Sequence, residues 1–581
     1  MDSLRQKLIG LINSTKRKKP YRCEVEYLES TGVQYIDTGY KIVTSTDEVS
    51  CYFQLITTDK YFWLMGEHDN GARFGIGSGD GGNLRNIAYG ASTYKVNDTE
   101  VYNSQHYFNA NSNGVYLNST QVHAYENFSS TSTVYLFNLN ISGGGNAAAG
   151  KIWRYTHKRN GKVIRDFIPV LDWNDKPAMY DRVSGELFYN QGTDVDFSYG
   201  REIHRVEYLE STGTQYIDTS VVADTENYIF KSSFKTVSSD LSVIFGFYNS
   251  TNGYPGILVN DAGTFRYGQT TAQTISPTFS TNTLYSIELS WKKLIVNGIT
   301  YTTTASTSYS GVDKSVYIFA RNNNGTVGNQ TKVKIYSFKI YNSTLLIRDY
   351  LPAIDENGVG FMFDRVTHTI YDNAGTGAFN YPPVEVEYLE STGTQYIDTG
   401  YTIGNDSDID LVFSITDDYN SNSNYSIFGS RNSASSSNIG VAVSYPQFPM
   451  YLDFCDTSYE THRATKTGKN ELDVKYKIIL NKNKRELSLE ETGTVLAVNT
   501  TASSSFTTPG SSYIFDQRGG YSSNKFKGKV YYCKIKNNNI MIRKFVPAYK
   551  DGEVGMIDRV NNVFYSNAGT GTFMVGKIKE K

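Results

Sequence analysis

One stretch is spelled three times in this chain, and it restricts the possible folds more than any other feature. Its fullest copy is Val206-Glu-Tyr-Leu-Glu-Ser-Thr-Gly-Thr-Gln-Tyr-Ile-Asp-Thr219. It returns letter for letter at residues 386–399, and with Val33 in place of a threonine at residues 25–38. The marker tyrosines Tyr27, Tyr208 and Tyr388 set a period of about 180 residues, which is a whole domain rather than a solenoid unit. A chain of 581 residues is in any case too long for a single ordinary core.

Each copy passes the same landmarks in the same order. An apolar segment ends in glycine at Phe62-Trp-Leu-Met-Gly66, Val243-Ile-Phe-Gly246 and Ser426-Ile-Phe-Gly429. An alternating pair then reads as a hairpin, clearest at Tyr285-Ser-Ile-Glu-Leu-Ser-Trp291 and Leu294-Ile-Val-Asn-Gly298. The segments Val134-Tyr-Leu-Phe137, Val316-Tyr-Ile-Phe319 and Ser512-Tyr-Ile-Phe515 come next. At near-equal spacing follow Ile164-Arg-Asp-Phe-Ile-Pro169, Ile347-Arg-Asp-Tyr-Leu-Pro352 and Ile542-Arg-Lys-Phe-Val-Pro547. A last hairpin carries Asp181-Arg182-Val183, Asp364-Arg365-Val366 and Asp558-Arg559-Val560, and two copies leave through Asn-Ala-Gly-Thr-Gly at residues 373–377 and 567–571. The middle of the third copy is longer, by about a hairpin, which surface loops accommodate.

Period-two alternation, short strands and frequent turns predict antiparallel sandwiches of two sheets. The 47 tyrosines and 30 phenylalanines suit half-buried pleated surfaces. Within the opening stretch, Val, Tyr and Leu alternate with Glu as one strand. Ser-Thr-Gly then reads as a turn, and Gln-Tyr-Ile-Asp-Thr as a strand leading back beside the first.

Residues 1–15 are the one clear helical pattern, with Leu4, Leu8, Leu11 and Ile12 on one face. The basic run Lys16-Arg-Lys-Lys19 before Pro20 reads as a solvated linker. The expected organisation is therefore a helix and linker for attachment or oligomerisation at 1–20, then jelly-roll repeats at 21–200, 201–382 and 383–581.

The repeat resembles the concanavalin A-like lectin/glucanase superfamily in its laminin-G-like form, of the kind found in bacteriophage tail and fibre proteins. The resemblance rests on the opening stretch, the Ile-Arg-Asp-Tyr-Leu-Pro strand and the Asp-Arg-Val hairpin with its Asn-Ala-Gly-Thr-Gly exit. It covers the chain from about Arg22 to the C-terminus. Residues 2–13, containing Ser3-Leu-Arg-Gln-Lys-Leu8, resemble the segment that precedes such repeats in phage tail-associated proteins. The resemblance implies a jelly roll and binding, often of glycans, more than catalysis; function still has to be argued from a site.

Candidate chemistry is sparse. The opening carboxylates Glu26, Glu29 and Asp37 and their copies could form an acid/base pair, but three tandem active sites would be unusual. The glucanase pattern Glu-x-Asp-x-x-Glu has its nearest match at Glu471-Leu-Asp473, with Tyr476 where the last Glu belongs. Asp406, Asp408 and Asp410 imitate a calcium loop, but Leu411 stands where the loop needs glycine. Gly77-Ser-Gly-Asp-Gly-Gly82 fits G-x-G-x-x-G without opening a helix. The three Asp-Arg pairs suit a scaffold role, and Trp63, Trp153, Trp173 and Trp291 are single events. Cys23, Cys51, Cys455 and Cys533 form no metal or disulfide pattern and are expected as free thiols. No catalytic residue, metal or cofactor is assigned, and the residues that bind a ligand are left open.

The formal net charge of −2 gives no broad footprint for nucleic acid. No apolar run reaches membrane-span length, and the first twenty residues do not form a secretion signal. The expectation is a non-enzymatic phage virion protein, fibre- or tail-associated and homo-oligomeric. It would bind other virion proteins through its N-terminal helix and a host surface glycan or glycoprotein through its repeats. Recognition would lie where the copies disagree, at residues 66–83, 249–268 and 431–469. A virion spacer, a glycan-degrading enzyme and a bacterial surface adhesin are the alternatives.

Overall fold

The computed structural model describes residues 19–579 except 57–61, 69–72, 79–84, 91, 97–103, 142–146, 194, 238–241, 249–255, 260–263, 269–271, 279, 292, 303–312, 418–423, 432–437, 445–448, 456–458, 505–506 and 518–524. The helix expected at 1–15 and its basic linker up to Lys18 fall outside the described residues. What is described is an all-β chain of several antiparallel β-sheet domains with jelly-roll-like sandwich topology. One helical turn, Tyr459–His462, interrupts it. The chain divides into two compact units, residues 1–377 and 378–579.

Each copy of the repeat contributes two sheets. In the first copy, the strands Leu28–Thr31, Asp47–Leu55, Ala149–Arg159 and Lys162–Asp172 belong to one sheet. Ile36–Val43, Ser129–Leu136 and Trp63–His68 belong to the other. Strict alternation along Asp47–Leu55 turns Val49, Cys51, Phe53 and Leu55 inward. There they meet Ile36, Met65 and Leu136 of the facing sheet in one buried cluster. The third copy repeats the arrangement, with Leu411 and Phe413 packed against Ile397, Phe428 and Ile514. Burying such side chains is the main stabilising term, at about 25 cal/mol per Å² of apolar surface removed from water.

The expected hairpins form. Tyr285–Ser290 pairs with Lys293–Val296, and the closing hairpin forms in every copy. The opening stretch does not behave as expected. Leu28–Thr31 pairs with Ala149–Arg159 in one sheet, whereas Ile36–Val43 pairs with Ser129–Leu136 in the other. Ser-Thr-Gly therefore carries the chain across the sandwich instead of folding it back on itself.

The physical reason is the glutamine that follows. The Gln34 side chain is buried in the corner, and its Oε1 accepts from the Ser30 hydroxyl (2.9 Å) and the Thr31 amide (2.9 Å). The Ser30 Oγ accepts in turn from the Gly32 amide at 3.0 Å. The Thr31 and Gly32 amides are thus satisfied by two side chains of the corner itself, leaving each flanking strand able to pair in its own sheet. Gln215 and Gln395 make the same bonds with Ser211 and Ser391. The glycine of each corner lies at φ between +100° and +105° (Gly32 +100, Gly213 +105, Gly393 +101), where a Cβ is strained.

The exit segment clasps this corner. The Asn373 side-chain oxygen accepts from the amides of Tyr216 (3.2 Å) and Gly375 (2.9 Å), and Asn567 does the same for Tyr396 and Gly569. A Cβ built on Gly375 would lie 2.1 Å from the Thr214 carbonyl oxygen, so only glycine fits there.

Within the first unit the two copies share a sheet. Tyr21–Val25 pairs on one side with Lys162–Asp172 and on the other with Glu202–Arg205, placing Glu24 opposite Ile203 and Val25 opposite Glu202. Glu202–Arg205 pairs onward with Leu345–Ile354 of the second copy. Charge complementarity fixes the register. Arg22 forks onto both Glu202 oxygens, and Arg205 donates to Glu24 at 2.7 Å. The closing hairpin of the second copy lies against the first: Arg154 Nη1 donates to Val366 O at 2.7 Å, and His368 Nε2 donates to Val25 O at 2.8 Å.

Candidate ligand-binding cleft

The residues singled out in the sequence are mostly taken up by the scaffold. Asp181, Asp364 and Asp558 are fully buried and accept hydrogen bonds from the backbone of their own hairpins. Arg182 and Arg365 pair with Asp166 and Asp349. In the third copy Lys544 replaces that aspartate, and Arg559 turns to Glu385 at 2.8 Å. Glu29 and Glu210 face Lys151 and Lys334, while Asp37 accepts from the Gly39 amide. Burial pushes the Glu26 carboxyl up.

Glu471 and Asp473 precede the strand Tyr476–Asn481 instead of lying on one, and Asp473 pairs with Lys529. Asp408 and Asp410 sit on the strand Ser407–Ile415. Trp63 and Trp153 are buried, and the exposed Trp173 donates Nε1 to the Lys19 carbonyl. Cys51 and Cys533 are buried thiols, pushed up by that burial. Of the three variable segments the structure describes mainly strands, among them Arg73–Ser78, Gly256–Val259, Asn438–Ser444 and Met450–Cys455. Much of what connects those strands falls outside the described residues, including residues 79–82 of the glycine-rich loop.

One cluster combines donor types that ligate metals. Cys23, Glu202 and His204 bring one ligand atom each to within 4.8 Å of the others where the two copies share their sheet. The Glu202 carboxylate is already engaged, by the Arg22 fork and by His204 at 2.8 Å. Burial opposes it, but these partners hold Glu202 down, at about 2. The cluster therefore acts as the polar centre of the shared sheet.

A cleft of about 450 Å³, formed by residues far apart in the chain, lies between the first two copies. Its size falls within the range of small-molecule sites, about 300–1,000 Å³. From the first copy come Tyr52 on the strand Asp47–Leu55, Tyr107 on His106–Asn111, and Gln105 and Asn118 beside them. Tyr52 and Tyr107 are paired across the sheet, with ring centroids 4.6 Å apart. Asn118, at φ +49°, accepts from the Tyr107 amide at 2.9 Å and donates toward His106 Nδ1 at 2.7 Å. From the second copy come Arg348 on Leu345–Ile354 and Tyr371 at the closing hairpin. Burial pushes the hydroxyls of Tyr52, Tyr107 and Tyr371 up, so they stay neutral hydrogen-bonding groups. A second hollow of about 350 Å³ lies on the second copy's sheet, but Lys231 and Glu288 already match each other there at 2.9 Å.

Two solved structures are similar to the chain at low identity. Domains LG4-5 of the mouse laminin α1 chain share 13% identity, with 60% of this chain and 93% of that one covered and a TM-score of 0.24. The LG1-3 region of the laminin α2 chain shares 10%, covering 95% and 100%, with a TM-score of 0.24. No family model and no curated protein matches the sequence. The sandwich topology is defined by the strand pairing of this chain alone.

Proposed function

We propose that the chain is a non-enzymatic adhesin of a phage virion, fibre- or tail-associated, with tandem sandwiches that bind a host surface glycan. The observation that carries the glycan reading is the cleft between the first two copies. Tyrosine faces stack on the apolar face of a sugar ring, and neighbouring amides exchange hydrogen bonds with its hydroxyls. Among the described lining residues there is no Asp or Glu. Glycoside hydrolysis needs two carboxyls about 5–9.5 Å apart across a cleft, so this lining supports binding rather than cleavage.

In this reading residues 1–20 attach or oligomerise the chain, and the repeats at 21–200, 201–382 and 383–581 are its modules. Oligomerisation multiplies weak single sites through effective concentration. Binding of the intact chain to a glycan array and to host cells tests it, together with its presence on purified virions. Absence of binding in both assays contradicts the adhesin. The shared sheet between the first two copies favours a second reading, a stiff virion spacer. Microscopy of particles with the cleft face packed against other virion protein would select that one.

A further inference from the structure

Among its described lining residues the cleft has one cationic group, Arg348. The same arginine recurs in the first copy as Arg165. There its Nε donates to Thr38 O (2.9 Å), its Nη1 donates to Asp181 Oδ2 (3.0 Å), and its guanidinium lies over the Tyr40 ring at 4.4 Å. The second copy differs at two of these positions. Val221 stands where Tyr40 does, which removes the aromatic cover. Tyr350 stands where Phe167 does, and its hydroxyl donates to Thr219 O at 3.1 Å, the carbonyl equivalent to that of Thr38. Arg348 bonds Ile347 O through Nη1 and also bonds the Tyr371 hydroxyl, and its Nε is 3.6 Å from Asp364 Oδ2. Arg543 repeats the Nη1 bond and the 3.6 Å distance in the third copy, so what sets Arg348 apart is its place in the lining of the cleft.

The Arg348 Nε is buried without a hydrogen-bond partner, and so is Nε2 of Gln105, whose Oε1 accepts from Thr369. Buried polar groups without partners are rare in folded proteins and call for an explanation. Both groups here are donors, and both belong to the lining of one cleft. A ligand rich in acceptors satisfies them together, and a carboxylate matches the guanidinium fork better than any neutral group.

We propose that the cleft selects acidic sugar units, uronic or sialic acids. Arg348 and Gln105 take the carboxylate, and the tyrosines take the ring. This rests on the glycan-binding reading and names its ligand class. The test is equilibrium binding of the intact chain to oligogalacturonate, oligoglucuronate and oligosialate, each against its methyl ester, at low salt. At least one acid binds about tenfold or more tighter than its ester, a difference of about 1.4 kcal/mol. Arg348→Gln abolishes that difference, and Tyr107→Ala weakens acid and ester together, with thermal midpoints confirming that both variants fold. Equal binding of acids and esters, or a preference that survives Arg348→Gln, overturns the proposal. So does failure to bind any of the three acids when neutral glycans are bound, an outcome that leaves the adhesin reading intact. An intact chain that binds no glycan at all removes both.

Discussion

The glutamine corner and the strand arginine are both repeated three times, yet they behave in opposite ways. Gln34, Gln215 and Gln395 make the same bonds in every copy, because each partner lies within the same few repeated residues. Arg165, Arg348 and Arg543 occupy one position, but Arg165 keeps different company from the other two. Arg165 is clamped between Tyr40 and Asp181. Arg543 bonds its neighbour Ile542 O and stands 5.9 Å from the Tyr401 ring centre. Arg348 borders a cleft. Repetition thus preserves a structure where the partners are local. Where partners come from elsewhere in the fold, one residue type can change company: Arg543 lacks the clamp of Arg165 although Tyr401 and Phe545 stand where Tyr40 and Phe167 do.

This contrast can be broken at its strongest point first. Arg165→Gln removes a hydrogen-bonded counter-charge from the fully buried Asp181, and denaturant unfolding should show a loss of about 3 kcal/mol. A loss below about 1 kcal/mol would mean that the clamp is not structural.

The join between the first two copies is the next place to press. Burial pushes His368 down to about 4 from the ordinary 6.5, and Arg154 and Arg182 work in the same direction, while Glu24 and the bond to Val25 O oppose it. The unfolded chain takes up a proton below about 6.5 that the folded chain refuses until about 4. Stability of the first unit should therefore fall as pH drops through that window, by at most about 3 kcal/mol. His368→Gln should flatten the corresponding part of a thermal-midpoint profile against pH, and an unchanged slope would contradict the assignment.

Gln395→Ala leaves the Ser391 hydroxyl and the Thr392 amide without their buried acceptor, at a cost of about 2 kcal/mol. Gln215→Ala should cost about the same, since its Oε1 accepts from the same serine hydroxyl and threonine amide. A large difference would show that the corner is not the common fastening. The smallest effect is expected for Arg348→Gln, about 1 kcal/mol, because its Nε stands 3.6 Å from Asp364 and makes no hydrogen bond to it, unlike the Arg165 pair.

Much of the fold could be read from alternation and turn residues, including the closing hairpins. The corner was misread because Ser-Thr-Gly between two alternating runs has the local form of a hairpin. The signal that distinguishes it is a serine followed four residues later by a glutamine, in a strand that otherwise places apolar side chains inward. The cleft could not be read at all. Tyr52, Tyr107 and Asn118 come from the first copy and Arg348 and Tyr371 from the second, and only the pairing of Tyr21–Val25 with Glu202–Arg205 brings them together. Its one trace in the sequence is the reciprocal charge of Arg22 with Glu202 and Glu24 with Arg205. The third copy lacks that pattern, since its corresponding strand, Val384–Glu385, follows Pro382-Pro383, which have no N–H to offer a neighbouring strand.

In the proposed function, recognition occurs in the cleft between the first two copies. A glycan array probed with the intact chain and with Tyr107→Ala, at matched concentration and confirmed fold, tests it most directly. Every glycan bound by the native chain should lose about tenfold or more of its binding in the variant. Undiminished binding by Tyr107→Ala would contradict it and place recognition elsewhere on the chain.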